Sequence, residues 1–295
     1  VHRMKSDPTV FPLRGDPRFE ALVLAACAAA DPAVAVLRAG GAAPIRHPAH
    51  GKTAVAAPTA FVCRGNVCGL PIMEAAALAA VDVADDYARA SGSVNTIVVV
   101  GEKLHGFNTD GPGLVRAIRE QFGVDVRDLR VVLLGAGGGA GRAIAVQCAR
   151  ERCERLVLVN RSLEKIQALK KELEPFFQSE HLAGPVERLV AIPFEEEALR
   201  HELENADILI NATSLGMSRL DPPVISPSLL TPNLLVYDTV YSGGISRLIE
   251  DASAAGARCA NGLGMLLHQG ALSFEIWFNR AAPLEVMRRA LLSTL

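Results

Sequence analysis

A glycine-rich run after a short apolar stretch is the segment of this sequence best suited to chemistry. It reads Val131-Val132-Leu133-Leu134-Gly135-Ala136-Gly137-Gly138-Gly139-Ala140-Gly141-Arg142. Gly135, Gly137 and Ala140 fit the pattern G-x-G-x-x-G/A, in which small residues permit a tight turn, a close backbone approach to a pyrophosphate and packing of helix on strand. A helix that begins here would point N–H groups at the anion. The run predicts a dinucleotide site, with a plain glycine turn as the alternative, and its cofactor-binding residues would be Gly135, Gly137, Gly138, Gly139 and Ala140.

The next apolar stretch, 156–159, predicts which cofactor would bind. An NAD site places an acidic residue about 20 residues beyond the glycines, to hold the ribose 2′-hydroxyl. This stretch instead ends in Asn160-Arg161-Ser162, with Lys165 one helical turn further on. The Arg161 guanidinium can receive a 2′-phosphate. We therefore predict NADP rather than NAD. The alternative is an exposed arginine at the start of a helix that Ser162 caps.

Two polar turns could present side chains to a substrate. Asn108-Thr109-Asp110-Gly111 follows a predicted strand and is suited to presenting a carboxylate, although Asp110 could instead cap a helix. Asn211 to Met217 follows another predicted strand at its carboxyl end, where ligands bind in open α/β sheets. An ordinary polar loop is the alternative for the second turn.

The elements that would position these residues alternate along most of the chain. Apolar and β-branched runs predict strands at 94–100, 104–107, 131–134, 156–159, 189–192, 208–210 and 234–237. Helical spacing predicts helices at 74–83, 114–122, 141–149, 163–173, 263–278 and 284–292. Segments 39–44 and 47–51 are predicted loops. The alternation predicts an α/β protein with a Rossmann-type, doubly wound parallel sheet and helices on both faces.

Composition excludes several classes of protein. The 295 residues are 50% hydrophobic and 21% charged, as in ordinary globular proteins, and their number suggests two domains. The net charge of −2 argues against a nucleic-acid binder. No run approaches the roughly 20 apolar residues of a membrane span. The six cysteines lack zinc-site spacing, so we expect no metal. We expect a cytoplasmic protein.

Six motifs, taken in order, resemble those of the shikimate dehydrogenase family from about Glu74 to Leu295. They are Ser93-Val94-Asn95-Thr96, Gly106-Phe107-Asn108-Thr109-Asp110-Gly111, the glycine run with Asn160-Arg161-Ser162, Asn211-Ala212-Thr213-Ser214-Leu215-Gly216-Met217, Tyr237-Asp238-Thr239-Val240-Tyr241 and Gly262-Leu263-Gly264-Met265-Leu266-Leu267-His268-Gln269. Each motif is modest alone, and their shared order makes the resemblance specific.

The resemblance implies reversible, NADP-dependent reduction of 3-dehydroshikimate to shikimate, a step in chorismate and aromatic amino-acid biosynthesis. It implies an α/β substrate domain made of 1–112 and the helices of 263–295, and an NADP domain at 113–262. It implies that the substrate-binding residues are Asn95, Asp110, Tyr241 and Gln269, with Asp110 also catalytic. It implies that the nicotinamide end is lined by Thr213, Ser214, Met217 and Gly262. We expect a monomer or a homodimer.

The amino-terminal part departs from the family pattern. No Ser-x-Ser pair, which would bind the substrate carboxylate, precedes Ser91, and Met73 stands where the family has a lysine that transfers a proton. Methionine cannot transfer a proton. The chain could act on another substrate, with Lys52, Lys103 or His105 supplying the proton. It could also be a non-catalytic NADP-binding relative, or residues 1 to about 70 could be scrambled. A quinate-type enzyme using NAD is a weaker alternative, because Arg161 speaks against it.

Overall fold

The computed structural model describes 12–13, 59–64, 67–73, 78–79, 81–100, 103–178, 187–216, 220–241 and 245–293, and up to Met73 it describes only the backbone. The described residues fall into two compact units. The first unit combines those up to Thr109 with those from Leu266 onward. The second unit runs from Asp110 to Met265. The assignment of substrate to one and cofactor to the other remains a prediction.

The first unit contains two small sheets. Its elements before Asp110 are β1 (Pro12–Leu13), β2 (Thr59–Arg64), β3 (Val67–Met73), β4 (Val83–Ala84), α1 (Asp86–Ser91), β5 (Thr96–Val100) and β6 (Lys103–Phe107). One sheet has the order β1-β2-β3 and is antiparallel. The other has the order β4-β6-β5, in which β5 and β6 form an antiparallel hairpin. Ala88, Val94, Ile97 and Leu104 form a small core beside this second sheet.

The second unit is a six-stranded sheet with helices along its connections. Its elements are α2 (Asp110–Phe122), β7 (Arg130–Leu134), α3 (Gly139–Arg150), β8 (Arg155–Asn160), α4 (Leu163–Phe177), β9 (Leu189–Pro193), α5 (Glu196–Leu203), β10 (Ile208–Asn211), β11 (Leu235–Asp238), α6 (Arg247–Ala254) and β12 (Arg258–Ala260). Helix α7 (Leu263–Phe278) begins in this unit and ends in the first, and α8 (Leu284–Leu292) belongs to the first.

The order of the six strands creates a switch point in the sheet. All pairs are parallel, in the order β12-β11-β10-β7-β8-β9. The chain first moves outward from β7 to β9, and then returns to place β10 on the other side of β7. Ligands of open α/β sheets bind in the crevice that such a reversal leaves at the carboxyl ends of the strands. The carboxyl ends of β7 and β10 therefore mark the expected binding edge.

The strands of this sheet are apolar because both of its faces are covered. Val131, Val132, Leu133 and Leu134 of β7 are all buried, which is why the strand reads as a continuous apolar run rather than as an alternation. Helix α2 buries Leu114, Ile118 and Phe122, the face that the helical spacing predicts. The predicted fold class is confirmed.

The prediction of a helix over 74–83 is wrong at its carboxyl end. Val83 lies in β4, where it pairs with His105 of β6, and the backbone N–H of Leu104 donates to Asp82 Oδ2 at 2.6 Å. Pairing with a neighbouring strand outweighs the helical propensity of the alanines before it. Residues 74–77 and the predicted loops at 39–44 and 47–51 lie outside the described residues. None of the helices that the structure describes has the length and apolar character needed to cross a bilayer.

Candidate functional site

The glycine turn lies at the switch point of the sheet. Gly135 follows β7 with a φ of 80°, a left-handed conformation that favours glycine. A Cβ atom on Gly135 would lie 2.8 Å from the carbonyl oxygen of Ala212, which follows β10. The turn after β7 and the loop after β10 are therefore in direct backbone contact, and no side chain fits between them.

Packing of helix on strand at this turn depends on Gly141 and not, as the sequence pattern suggests, on Ala140. Ala140 is exposed, whereas Gly141 is buried. A Cβ atom on Gly141 would overlap the carbonyl oxygen of Gly135, a backbone atom that has no room to move. The small residue that packing requires thus comes one position later than the G-x-G-x-x-G/A spacing predicts.

The first residues of α3 leave room for an anion. Gly138, Gly139 and Ala140 are exposed, and the N-cap residue Gly138 makes no side-chain capping bond. A Cβ atom on Gly139 would have no described atom within 4 Å. Because the first N–H groups of a helix lack intrahelical partners, they are available to phosphate oxygens here. This geometry fits the diphosphate of a dinucleotide.

The end of β8 lies against the glycine turn. A Cβ atom on Gly137 would lie 2.8 Å from Asn160 Nδ2, which donates to the backbone oxygen of Ser162 at 3.2 Å. Arg161 and Lys165 are exposed, and neither forms an ion pair within the described part of the chain. Ser162 is the N-cap residue of α4, although its hydroxyl makes no capping bond. Two exposed cations thus follow the strand whose last residue, Asn160, contacts the glycine turn.

A buried polar network holds the loop that follows β10. Asn211 Nδ2 donates to Asp238 Oδ1 at 2.9 Å, and Asn211 Oδ1 accepts from the Thr213 backbone N–H at 3.1 Å and from its hydroxyl at 2.7 Å. The Thr213 hydroxyl oxygen in turn accepts from the Leu215 N–H at 3.2 Å. Ser246 Oγ donates to the second oxygen of Asp238 at 2.5 Å. The loop that carries Thr213 and the exposed Ser214 is therefore tied to the neighbouring strand β11.

Burial governs the charge state of this network. Asp238 is 0% exposed. Desolvation by burial raises the pKa of its carboxyl above the ordinary value of 3.8, while hydrogen bonds from Ser246, Val240 and Asn211 act in the opposite direction. The preceding Tyr237 is also buried, which raises the pKa of its phenol, and its Oη accepts from the Met265 backbone N–H at 3.0 Å.

Tyr241 and Gly262 lie close together beyond the end of β11. Tyr241 is half-buried, and Gly262 is buried directly before α7. A Cβ atom on Gly262 would overlap the carbonyl oxygen of Thr239 and would lie 2.9 Å from Tyr241 Cδ1. Packing alone therefore accounts for a glycine at 262, whether or not it lines a cofactor. Met217, the other residue predicted at the nicotinamide end, lies outside the described residues.

Asn95 of the first unit has a fixed amide orientation. Its Oδ1 accepts from the Thr109 backbone N–H at 3.0 Å, from the Thr109 hydroxyl at 3.2 Å and from the Thr96 hydroxyl at 3.0 Å. A backbone N–H can only donate, so the oxygen must face Thr109. The side chain is 5% exposed. Asn95 is therefore held rigidly by the turn that precedes Asp110.

Gln269 of the first unit carries a buried oxygen that has no hydrogen-bond partner among the residues the structure describes. The residue is 2% exposed, and its Oε1 accepts no hydrogen bond from the described residues. A buried acceptor left unpaired costs about 1–3 kcal/mol, so such an atom indicates a missing donor. A ligand hydroxyl is one such donor.

Asp110 is the first residue of α2 and is 3% exposed. It stands within the helix rather than at the preceding cap position, and a carboxylate there is favoured by the helix dipole. Thr109, which holds Asn95, comes directly before it in the chain. Asp110 belongs to the second unit and Asn95 to the first. In the described part of the chain, no three His, Cys, Asp or Glu side chains gather as a metal site.

Some residues that shape the site were not predicted from the sequence. Gly141, Asp238 and Ser246 are the main ones in the second unit, and Thr96 and Ser273 are the main ones in the first. Gly141 could have been found from the sequence, because it directly follows Ala140, the last position of the G-x-G-x-x-G/A pattern. Ser273 had a weaker one, since a serine four residues after Gln269 lies on the same helix face. The pairing of Asp238 with Asn211 depends on strand order, which their separation in sequence does not reveal.

The sheet order and the glycine turn at its switch point define the dinucleotide-binding class of α/β proteins. Comparison with known sequences shows to which family within this class the chain is similar. Residues 116–221 match the family described as Shikimate / quinate 5-dehydrogenase, and residues 262–292 match the Shikimate 5'-dehydrogenase C-terminal domain. The shikimate dehydrogenase (NADP(+)) of Methanopyrus kandleri is 39% identical over 216 residues, which cover 72% of this chain and 71% of that protein. This chain belongs to the shikimate/quinate dehydrogenase family, which consists of NAD(P)-dependent oxidoreductases.

Two solved structures resemble this one over different lengths. Shikimate 5-dehydrogenase from Thermus thermophilus, solved with NADP(H) and shikimate, is 31% identical with a TM-score of 0.63, and the match covers 75% of this chain and 76% of that one. The ligand-free 5-ketofructose reductase of Gluconobacter sp. strain CHM43 is 25% identical with a TM-score of 0.71, and covers 96% of this chain and 95% of that one. The likeness to a reductase of a different substrate therefore extends over more of the chain.

Proposed function

We propose that this protein catalyses the reversible, NADP-dependent reduction of 3-dehydroshikimate to shikimate. The observation that carries the proposal is the buried Gln269 Oε1, which accepts no hydrogen bond from any described residue. A ring hydroxyl of shikimate would supply that donor. Relatives support the assignment, because the Methanopyrus kandleri protein is a shikimate dehydrogenase (NADP(+)) and the Thermus thermophilus structure contains NADP(H) and shikimate.

The residues of the second unit fit NADP. The diphosphate would lie on the exposed first turn of α3, at Gly138, Gly139 and Ala140. Arg161 and Lys165 would hold the 2′-phosphate, since both are exposed cations and no carboxylate follows β8 at Asn160. When bound, the cofactor supplies a hydride to the carbonyl carbon of the substrate. Thr213 and Ser214 would bound its nicotinamide end, on the loop that Asp238 holds through Asn211.

The remaining proposed roles concern the substrate. Asn95 and Gln269 would hold ring hydroxyls, with Tyr241 as a further contact. Asp110 would orient the hydroxyl at the reacting carbon, and would accept its proton in the direction of oxidation. Reduction requires that a proton reach the carbonyl oxygen as the hydride reaches the carbon. The family's lysine would supply that proton, and Met73 cannot; in this chain the proton would return from Asp110, which accepts it in the direction of oxidation.

A second candidate function follows from Met73, which lies at the end of β3. Without the lysine, the chain would bind NADP but would act slowly, not at all, or on another substrate. The long match to 5-ketofructose reductase favours another substrate. Lys103 is exposed and His105 is half-buried on β6, so both remain candidates for the proton donor, while Lys52 lies outside the described residues.

The test is an absorbance assay for reduced nicotinamide with shikimate or quinate and with NADP or NAD. The proposal predicts turnover by the native chain with shikimate and NADP, and its loss in Asp110→Asn. Met73→Lys should raise the rate about 100-fold or more if a proton donor is lacking, with Met73→Leu as the matched control. Tight NADPH binding without turnover of either substrate would contradict the first function and support the second.

A further inference from the structure

We propose that Thr96 and Ser273 are positioning residues whose hydroxyl pair sets the spacing between Asn95 and Gln269, and so the fit of a hydroxylated ring between these two amides. This inference deepens the proposed function and rests on it for the identity of the ligand. All four residues belong to the first unit. Thr96 lies in the motif 93–96 but the resemblance implies no role for it, and Ser273 lies outside the six motifs.

The two hydroxyls form the middle of a continuous buried path. Thr96 Oγ1 and Ser273 Oγ lie 2.8 Å apart. On one side, Thr96 Oγ1 donates to Asn95 Oδ1 at 3.0 Å. On the other side, Ser273 Oγ donates to the backbone oxygen of Gln269 at 3.0 Å. The path therefore joins the side-chain amide of Asn95 to the helical turn that carries Gln269.

Attachment of helix α7 to strand β5 does not require this pair. Trp277, one turn beyond Ser273, donates from Nε1 to the backbone oxygen of Ile97 at 3.1 Å. Trp277 and Phe274 are also buried. Valine at 96 and alanine at 273 would nearly fill the same space without a polar group to satisfy. The distinct contribution of the hydroxyls is directional, because they connect to the Asn95 oxygen and to the Gln269 turn.

The hydrogen count makes the two hydroxyls interdependent. Each hydroxyl has one hydrogen to donate, whereas the path contains three contacts. Only two of the three contacts can therefore be hydrogen bonds at one time, and the choice made by one hydroxyl limits the bonds open to the other. Removing either hydroxyl disturbs the same path, so the effects of the two removals should not add.

The test is a double-mutant cycle on shikimate binding, measured by calorimetry with Thr96→Val, Ser273→Ala and the double variant. We expect each single variant to bind shikimate about three- to tenfold more weakly. The double variant should bind no more weakly than the weaker single variant, and Thr96→Ser should restore native affinity. The affinity for NADPH should not change in any of them, which a general loss of structure would not produce.

A matched control comes from the same unit. Ser91 is a buried serine whose Oγ donates to the backbone oxygen of Ala88 at 3.1 Å, outside the path. Ser91→Ala should leave shikimate affinity unchanged. Single variants that bind shikimate like the native chain would overturn the inference, and so would losses that add in the double variant.

A separate measurement distinguishes this inference from the proposed function. If the native chain binds no shikimate, the proposed function fails. The path is then judged from the side-chain amide resonances of Asn95 in nitrogen-15-labelled protein, identified by their loss in Asn95→Asp. Ser273 makes no direct bond to Asn95 among the described contacts, so a shift of these resonances in Ser273→Ala supports the path. Unchanged resonances would overturn it.

Discussion

Two loops at the same edge of the six-stranded sheet keep their shapes by different means. The turn after β7 relies on backbone contact, since Gly135 meets Ala212 and Gly141 meets Gly135 with no space for a Cβ atom. The loop after β10 relies on buried side chains, with Asn211 and Asp238 hydrogen-bonded to each other and to the loop. Glycines thus leave the N–H groups of the first loop available to a ligand, while in the second loop the protein satisfies its own polar groups.

The difference teaches what each loop can tolerate. A backbone contact fails when any side chain is added, whatever its polarity. A polar network fails when one partner is removed, because the remaining buried donors lose their acceptor. The predictions below test this distinction, beginning with the largest expected effect.

Gly141→Ala should lower the free energy of unfolding by about 3 kcal/mol, because the new methyl group overlaps the Gly135 carbonyl oxygen. Gly139→Ala is the matched control, since it adds the same methyl group where no described atom lies within 4 Å. It should leave stability unchanged or raise it by about 0.5–1 kcal/mol through helix propensity. Urea unfolding measures both. Equal losses in the two variants would contradict the packing role of Gly141.

Asp238→Ala should lower the free energy of unfolding by about 2 kcal/mol, because it leaves Asn211 Nδ2, Ser246 Oγ and the Val240 N–H without their acceptor. The exposed Asp128 provides a control, and Asp128→Ala should change stability by less than about 0.5 kcal/mol. The same urea titration compares them. A loss in Asp238→Ala no larger than in the control would show that the network does not hold the loop.

Arg161→Gln should weaken NADPH binding about tenfold while leaving NADH binding unchanged, because only NADPH carries the 2′-phosphate that the guanidinium would hold. The difference should shrink at high salt, as expected for an exposed charge. Lys171→Gln removes another exposed cation from the same helix as Lys165 and should have little effect on either cofactor. Calorimetric titration gives all affinities. Equal weakening of NADH would place Arg161 elsewhere than at the 2′-phosphate.

Two carboxylates, Asp238 at the end of β11 and Asp207 directly before β10, should change the free energy of unfolding with pH in opposite directions. Burial raises the pKa of Asp238, so the native state keeps a proton that the unfolded state releases, and stability falls as pH rises from 3.8 to the folded-state pKa. The Arg130 guanidinium lowers the pKa of Asp207, so its contribution is lost as pH falls below 3.8.

In Asp238→Asn, the free energy of unfolding should therefore no longer fall as the pH rises above 3.8. In Asp207→Asn, it should no longer fall as the pH drops below 3.8. The Asp207 effect should stay below about 1 kcal/mol, since its side chain is 31% exposed. Urea unfolding over a pH series measures both. If the free energy of unfolding of each variant changes with pH as it does in the native chain, the assigned pKa shifts are contradicted.

The sequence predicts the second unit better than the first, and the reason is physical. A parallel sheet covered on both faces requires continuous apolar strands, and such runs are visible at 131–134, 156–159 and 208–210. Strand β12 and helix α5 were not predicted, because with 3 and 8 residues both are too short to give a clear periodic pattern. In the first unit, the sequence predicts helix at Val83, because the pairing of β4 with β6 leaves no local signal.

The candidate site divides in the same way. Local spacing was enough to predict the glycine turn, whereas the role of Arg161 stays a prediction. Asp238 and Asn211 are separated by 27 positions and Thr96 and Ser273 by 177, so only the fold brings each pair together. That Gln269 Oε1 has no partner among the described residues could not be predicted from its residue type, because a glutamine in an apolar helix more often bonds to a neighbour.

Transfer of a hydride between NADPH and the substrate is the central claim, and isotope transfer tests it most directly. The native chain is incubated with 3-dehydroshikimate and NADPH deuterated at either face of nicotinamide C4, and the product is examined by mass spectrometry. The account predicts shikimate that carries one deuterium from one of the two cofactors and none from the other. If no shikimate forms, or if the shikimate carries deuterium from neither cofactor, the account is contradicted.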